Sequence, residues 1–363
     1  MRRKGLHPGD IEGRSLSLFF FFFFFVPLCV LRVFVAAVLF PATELRMTGE
    51  RALGRSRAYA VFAALYRSGV TADLLPIVGA IPELAVHVPQ PFDAAEAAAA
   101  HQGLFGFNVF PYQSVFLGED GLLGGAESER VRAAHHAAGY APGATADDPD
   151  HLAHELALLS FLCGAEADAH ADGLAGMAGT ARARQAAFLA DHLLWWLPLF
   201  AHAVARHGDG FYAALAALTW ELAADHWQDV GGVADGTRWA PDGGDDAPAA
   251  PEPDAGGDAR RITAHLLLPV RSGLFLSREE LARCARRAGL PHGFGDRRQM
   301  LTTLLDGAAR FDRAAALAAA LGEVVAAVQA AWAAPDLALA PDAIRRFWQA
   351  RLAHTAALIG GLS

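Results

Sequence analysis

Apolar residues in this chain recur at intervals of three and four, and no other feature constrains its fold as tightly. Ala58, Val61, Phe62, Leu65 and Tyr66 form one face of a helix; similar patterns continue to the C-terminus, while strand-like alternation is scarce. The spacing predicts helices over roughly 50–68, 71–82, 92–103, 127–138, 150–166, 181–206, 210–229, 277–288, 296–332 and 341–358. Helices joined by short connections imply an all-α bundle. With 53% hydrophobic and 19% charged residues in 363, the chain has enough apolar material for a large core.

Two stretches break the pattern. Residues 231–258, GGVADGTRWAPDGGDDAPAAPEPDAGGD, are rich in Gly, Pro, Ala and Asp and are expected to form a disordered acidic linker. It separates a helical domain, 47–230, from a C-terminal helical part, 259–363. The second part is expected to pack on the same bundle, because a bundle tolerates a long exposed insertion at small entropic cost.

The other stretch is residues 1–46. Leu16 to Phe40 is almost wholly apolar, includes seven consecutive phenylalanines from Phe19 to Phe25, and is long enough to span a hydrocarbon core of about 30 Å. It reads as a membrane anchor or as upstream sequence included by an incorrect start. Arg2 and Arg3 do not make an export signal, since no Ser/Thr-Arg-Arg-x-Phe consensus follows them. Every basic residue after Met47 is arginine and alanine is the commonest residue there, whereas the phenylalanine run stands apart. Translation from Met47 is the favoured reading, and membrane contact is expected only if residues 16–40 are real.

Formal net charge is -9; the first 46 residues carry six Lys/Arg and three acids, so the remainder carries -12. An acidic body excludes a nucleic-acid surface, which needs clustered cations, and favours a basic or apolar partner. Cys29, Cys163 and Cys284 lack C-x-x-C spacing and are expected to be reduced thiols. No G-x-x-x-x-G-K-[ST] pattern exists, Lys4 is the only lysine, and G-x-S-x-G is absent, so neither a phosphate loop nor a serine nucleophile is indicated.

Four stretches remain as candidate sites. Phe107–Gly125 is a long aromatic-rich loop in a helical chain, where Pro111 fixes a turn, Tyr112 offers a ring and a hydroxyl, and Ser114 can cap. In the second, DDPDHLAHELALL, Asp150 is the expected N-cap of a helix whose first turn includes His151, with His154 and Glu155 following. Phe188–His202 is an apolar helix holding Trp195, Trp196 and an internal Pro198, readable as core or as the wall of a groove for an apolar peptide. In Pro269–Glu280, Ser277 and Glu280 form a capping box, and Arg271 with Ser272 is a candidate anion site before a glycine turn.

Pro111-Tyr112-x-Ser114-Val115-Phe116-Leu117, then Pro149-Asp150-His151 leading into His154-Glu155-Leu156, then His192-Leu193 to Trp196-x-Pro198-x-Phe200, occur in that order. Together they resemble the TorD/DmsD family, related to NarJ, of redox-enzyme maturation chaperones. The resemblance covers about residues 50–230, with a looser likeness near 271–279 and 295–298. It implies an all-helical cytoplasmic chaperone without a cofactor. Such a protein binds the twin-arginine signal peptide and apo form of a molybdopterin enzyme before cofactor insertion and export. By position it places Tyr112, Ser114, Val115, Asp150 and His151 at the leader-binding groove.

A twin-arginine leader presents two guanidinium groups and an apolar stretch, so its receptor needs carboxylates and apolar surface. Asp150, Glu119 and Asp120 can supply the first, and Tyr112, Phe116, Trp195 and Trp196 the second. The rival reading is a metal-dependent helical hydrolase or oxygenase using His151, His154 and Glu155. His135, His136, His192 and His202 would be further ligands, although H-E-x-x-H is absent. A membrane-tethered helical scaffold is a third.

Overall fold

The computed structural model describes residues 46–142, 148–208, 210–231, 259–334, 337 and 339–362. The apolar stretch 16–40 and linker residues 232–258 lie outside the described residues. Leu45–Ser363 is one compact unit. Among the described residues it is helical throughout, with a single isolated β-bridge.

The helices, in order, are α1 (Arg46–Ser68), α2 (Leu75–Val78), α3 (Pro82–Ala85), α4 (Ala94–His101), α5 (Gln113–Leu117), α6 (Gly125–Ala138), α7 (Leu152–Ala171) and α8 (Ala175–Phe188). They continue as α9 (Leu194–His207), α10 (Gly210–Asp229), α11 (Ala259–Leu266), α12 (Pro269–Ser272), α13 (Arg278–Ala288), α14 (Arg297–Arg310), α15 (Ala314–Trp332) and α16 (Asp342–Gly360).

Small residues let α1 and α7 approach closely. Ser56 Oγ donates to the Ser160 carbonyl and Ser160 Oγ to the Ser56 carbonyl, each at 2.8 Å. A Cβ added at Gly164 would sit 3.3 Å from Ser56 Oγ. At the far end of this layer Asp229 gathers three arginines, Arg51 at 2.7 Å, Arg55 at 2.6 Å and Arg182 at 3.0 Å, tying α1, α8 and α10 together.

An aromatic seam runs through the centre. Phe200 contacts Tyr66, Phe105, Phe116 and Trp196 at ring separations of 5.9, 6.1, 5.9 and 5.4 Å, edge-on or tilted except for the stacked Phe105. Phe116 in turn stacks on Phe275 at 5.1 Å, joining α5 to the chain before α13. Trp348 of α16 donates its indole N–H to the Trp195 carbonyl at 2.8 Å, and Phe347 packs edge-on against Trp195. The C-terminal helices thus share this core.

Several expected elements differ. The 71–82 helix is two short turns, α2 and α3, each opened by a proline, and 296–332 divides into α14 and α15 around Asp312, whose φ is 57°. The 181–206 helix starts earlier, at Ala175, and is interrupted by a π-turn over Leu189–Leu193 ahead of Pro198, which cannot donate to Leu194. The loop 107–125 contains α5, and α11 and α12 fall where no helix is expected from spacing.

Two described helical stretches, Ala175–His207 and Ala314–Trp332, are long and apolar enough to cross a membrane. The first is mostly buried inside the protein, with Trp195, Trp196 and Phe200 in the seam, and so serves as core.

Candidate functional site

The first two candidate stretches meet. Tyr112 and His151 form the isolated antiparallel bridge. On either side, the Gln113 N–H donates to the Asp150 carbonyl at 3.0 Å and the Leu152 N–H to the Pro111 carbonyl at 2.8 Å. The Tyr112 and His151 rings meet edge-to-face at 4.7 Å.

Here the cap assignment is corrected. His151, not Asp150, is the N-cap of α7, its Nδ1 accepting the Ala153 N–H at 3.0 Å, so the helix begins at Leu152. Asp150 instead reaches across to α5, where its Oδ2 accepts the Ser114 N–H at 2.9 Å. The N-cap position of α5 is Tyr112, whose side chain makes no capping bond. Asp150 therefore serves the orphan N–H of a helix 36 residues upstream.

The residues expected at a groove are mostly interior. Ser114, Phe116, Asp150 and Trp196 are fully buried, and Val115 and His151 nearly so, whereas Tyr112 is half-exposed. Trp195 is buried as well, its indole N–H given to the Ala190 carbonyl at 2.8 Å. These side chains shape the underside of a loop. Ser114 Oγ accepts the Gly124 N–H at 3.2 Å and so closes residues 118–124 back onto α5.

The exposed residues of that loop are Glu119, Asp120, Leu122 and Leu123, and Phe107 is exposed where the connection begins. Motif reasoning passed over Phe107, Leu122 and Leu123. The available signal was a pair of leucines between glycines, in Gly121-Leu122-Leu123-Gly124, where no helix face exists to bury them.

Beneath α5 lies a polar layer. Gln113 Nε2 donates to Glu127 Oε2 at 2.8 Å, and Glu127 pairs with Arg130 at 3.0 Å. Trp196 Nε1 donates to Glu155 Oε2 at 3.2 Å. Burial, reinforced by Asp150, pushes the Glu155 carboxyl well above its ordinary range. Burial also lowers His135 to about 4 and His192 to about 3, so both are neutral near pH 7. The Cys163 thiol is buried and raised by that burial, as expected of a core cysteine.

Two chemical readings fall away. Among the described residues no group of three or more His, Cys, Asp or Glu side chains converges to hold a metal ion, so His151, His154 and Glu155 provide no metal site. The Arg271–Ser272 anion site is also corrected. Ser272 is fully buried, and its hydroxyl is within 3.1 Å of the Leu268 and Leu274 carbonyls, leaving it committed to its own turn. The Ser277–Glu280 capping box is present as expected.

The site therefore consists of a buried motif cluster that braces a loop within an all-helical body. Residues 72–202 match the family model described as nitrate reductase delta subunit, a NarJ-related family of chaperones for molybdoenzyme maturation. Members act with molybdoenzyme catalytic subunits. No curated protein and no solved structure matches the chain. The matched segment spans α2 to most of α9 and includes all seven candidate site residues.

Proposed function

We propose that this protein is a maturation chaperone of the TorD/DmsD type and acts in the cytoplasm. There it binds the twin-arginine leader and apo form of a molybdopterin enzyme before cofactor insertion and export. The observation that carries the reading is the Tyr112–His151 bridge, which pins the connection 107–124 to the start of α7.

In this reading Asp150, Ser114, Val115, Phe116 and Trp196 hold the loop from below, and Tyr112 and His151 flank the entry. Glu119 and Asp120 meet the leader's guanidinium groups, and Leu122, Leu123 and Phe107 supply apolar surface for its hydrophobic stretch. The acidic body raises the encounter rate with a basic peptide.

Titration calorimetry of a reductase leader into the protein tests this. Saturable binding that weakens with salt, and weakens further in Glu119→Lys/Asp120→Lys, is expected. Absence of binding by every twin-arginine leader tried overturns it.

A further inference from the structure

A cleft of about 640 Å³ opens between the end of α9, α13 and α15. It lies outside residues 72–202. Its floor is apolar, formed by Cys284, Ala320, Val324 and Ala327. Its rim is basic, with Arg283, Arg286 and Arg287 from the last turns of α13 and Arg206 from α9, against Glu280 and Glu323. Four cations facing two acids is a local reversal in a body that carries -12 beyond residue 46.

Part of this arrangement is structural. Cations in the last turn of α13 offset the negative end of its dipole. Arg283 pairs with Glu279 at 3.3 Å and Arg287 with Glu323 at 2.5 Å. The remainder is not accounted for in that way. Arg286 is exposed and has no ion pair among the described residues. Arg206 is held by the Phe275 carbonyl at 2.6 Å and Glu280 at 2.8 Å, yet its Nη1 has no hydrogen-bond partner among the described residues although the side chain is only 11% exposed. Arg286 is thus the rim cation left open to a carboxylate from outside.

We propose that this cleft is a second docking surface, separate from the leader site, and that it takes an acidic amphipathic segment of a partner polypeptide. Arg283, Arg286 and Arg287 stand at i, i+3 and i+4, so their charges are spread along one helix face and match carboxylates one helical turn apart. A compact anion would meet the C-terminal, negative end of α13. The Ala, Val and Cys floor accepts aliphatic side chains between those carboxylates.

The test uses the full chain and a fluorescein-labelled helical peptide with glutamates on one face and leucines on the other. A version with glutamine for glutamate, and inorganic phosphate as competitor, are the controls. Saturable binding of the glutamate peptide is expected, about tenfold or more weaker for the glutamine peptide and for Arg286→Glu/Arg287→Glu. Ala327→Glu, an exposed change on α15, is expected to weaken it comparably, with helicity by circular dichroism unchanged. Leader binding should be the same in all variants. No saturable binding, undiminished binding in both variants, or full displacement by phosphate overturns the proposal, as does a parallel loss of leader binding.

Discussion

Asp150→Ala and Asp150→Asn separate what holds the loop from what binds a ligand. Asp150 is fully buried, and its Oδ2 accepts the Ser114 N–H at 2.9 Å. Alanine leaves that N–H, at the unsatisfied start of α5, buried without an acceptor, which costs about 2 kcal/mol. Asparagine keeps an acceptor oxygen of similar reach and removes a charge from beside Glu155, so its cost should be below about 0.5 kcal/mol.

The difference is roughly a tenfold to thirtyfold change in the folded-to-unfolded ratio, well within the resolution of urea denaturation followed by circular dichroism. Hydrogen exchange at Ser114 and Gly124 should quicken in the alanine variant and stay slow in the asparagine variant. Equal stability of the two variants, or an alanine variant indistinguishable from the parent, would refute the claim that Asp150 caps α5 from a distance.

Other perturbations address the rest of the molecule. At Asp229, burial alone would raise the carboxyl, but Arg55 and Arg182 outweigh it and hold it below the usual range; Asp229→Ala leaves the buried Arg55 with Asp225 alone, at 3.1 Å, and should cost about 2 kcal/mol in urea melts, a loss under about 0.5 kcal/mol arguing against the cluster as a clasp. Burial lowers His135, His202 and His265 to about 4 and His192 to about 3, below the unfolded value near 6.5. Their contribution is therefore complete above pH 6.5 and lost as pH falls from there through about 4, and through about 3 for His192, so the urea midpoint should decline across that window; a flat profile contradicts their neutral burial. Gly273 has φ of 72°, and an added Cβ would lie 2.7 Å from the Leu352 nitrogen and 2.9 Å from the Trp348 carbonyl oxygen; Gly273→Ala should destabilise by more than about 2 kcal/mol, and a parent-like midpoint would deny the close approach of α12 and α16.

Much of the architecture could be read along the chain because helix signals are local. The 3.6-residue spacing placed α1, α10, α13 and α16 to within a few residues, and Ser277 three residues before Glu280 marked the start of α13. The break between α14 and α15 was hidden because no glycine or proline marks it; Asp312 adopts positive φ there, which aspartate tolerates better than most residues. Helices α11 and α12 are only eight and four residues long, too short for a periodicity to emerge.

The ordered motifs Tyr112-x-Ser114-Val115, Asp150-His151 and Trp196-x-Pro198, legible in the sequence, all lie within residues 72–202, the segment that matches the family model. Where their side chains sit was decided only by folding. Read locally, Asp150 caps the helix that follows it; in three dimensions His151 takes that position and Asp150 turns to Ser114, because Tyr112 leaves the first turn of α5 without a cap of its own. The same packing put Phe116 and Trp196 into the core and left Leu122 and Leu123 outside. A capping partner 36 residues away and a face chosen by neighbouring helices are long-range matters, and local periodicity holds no information about either.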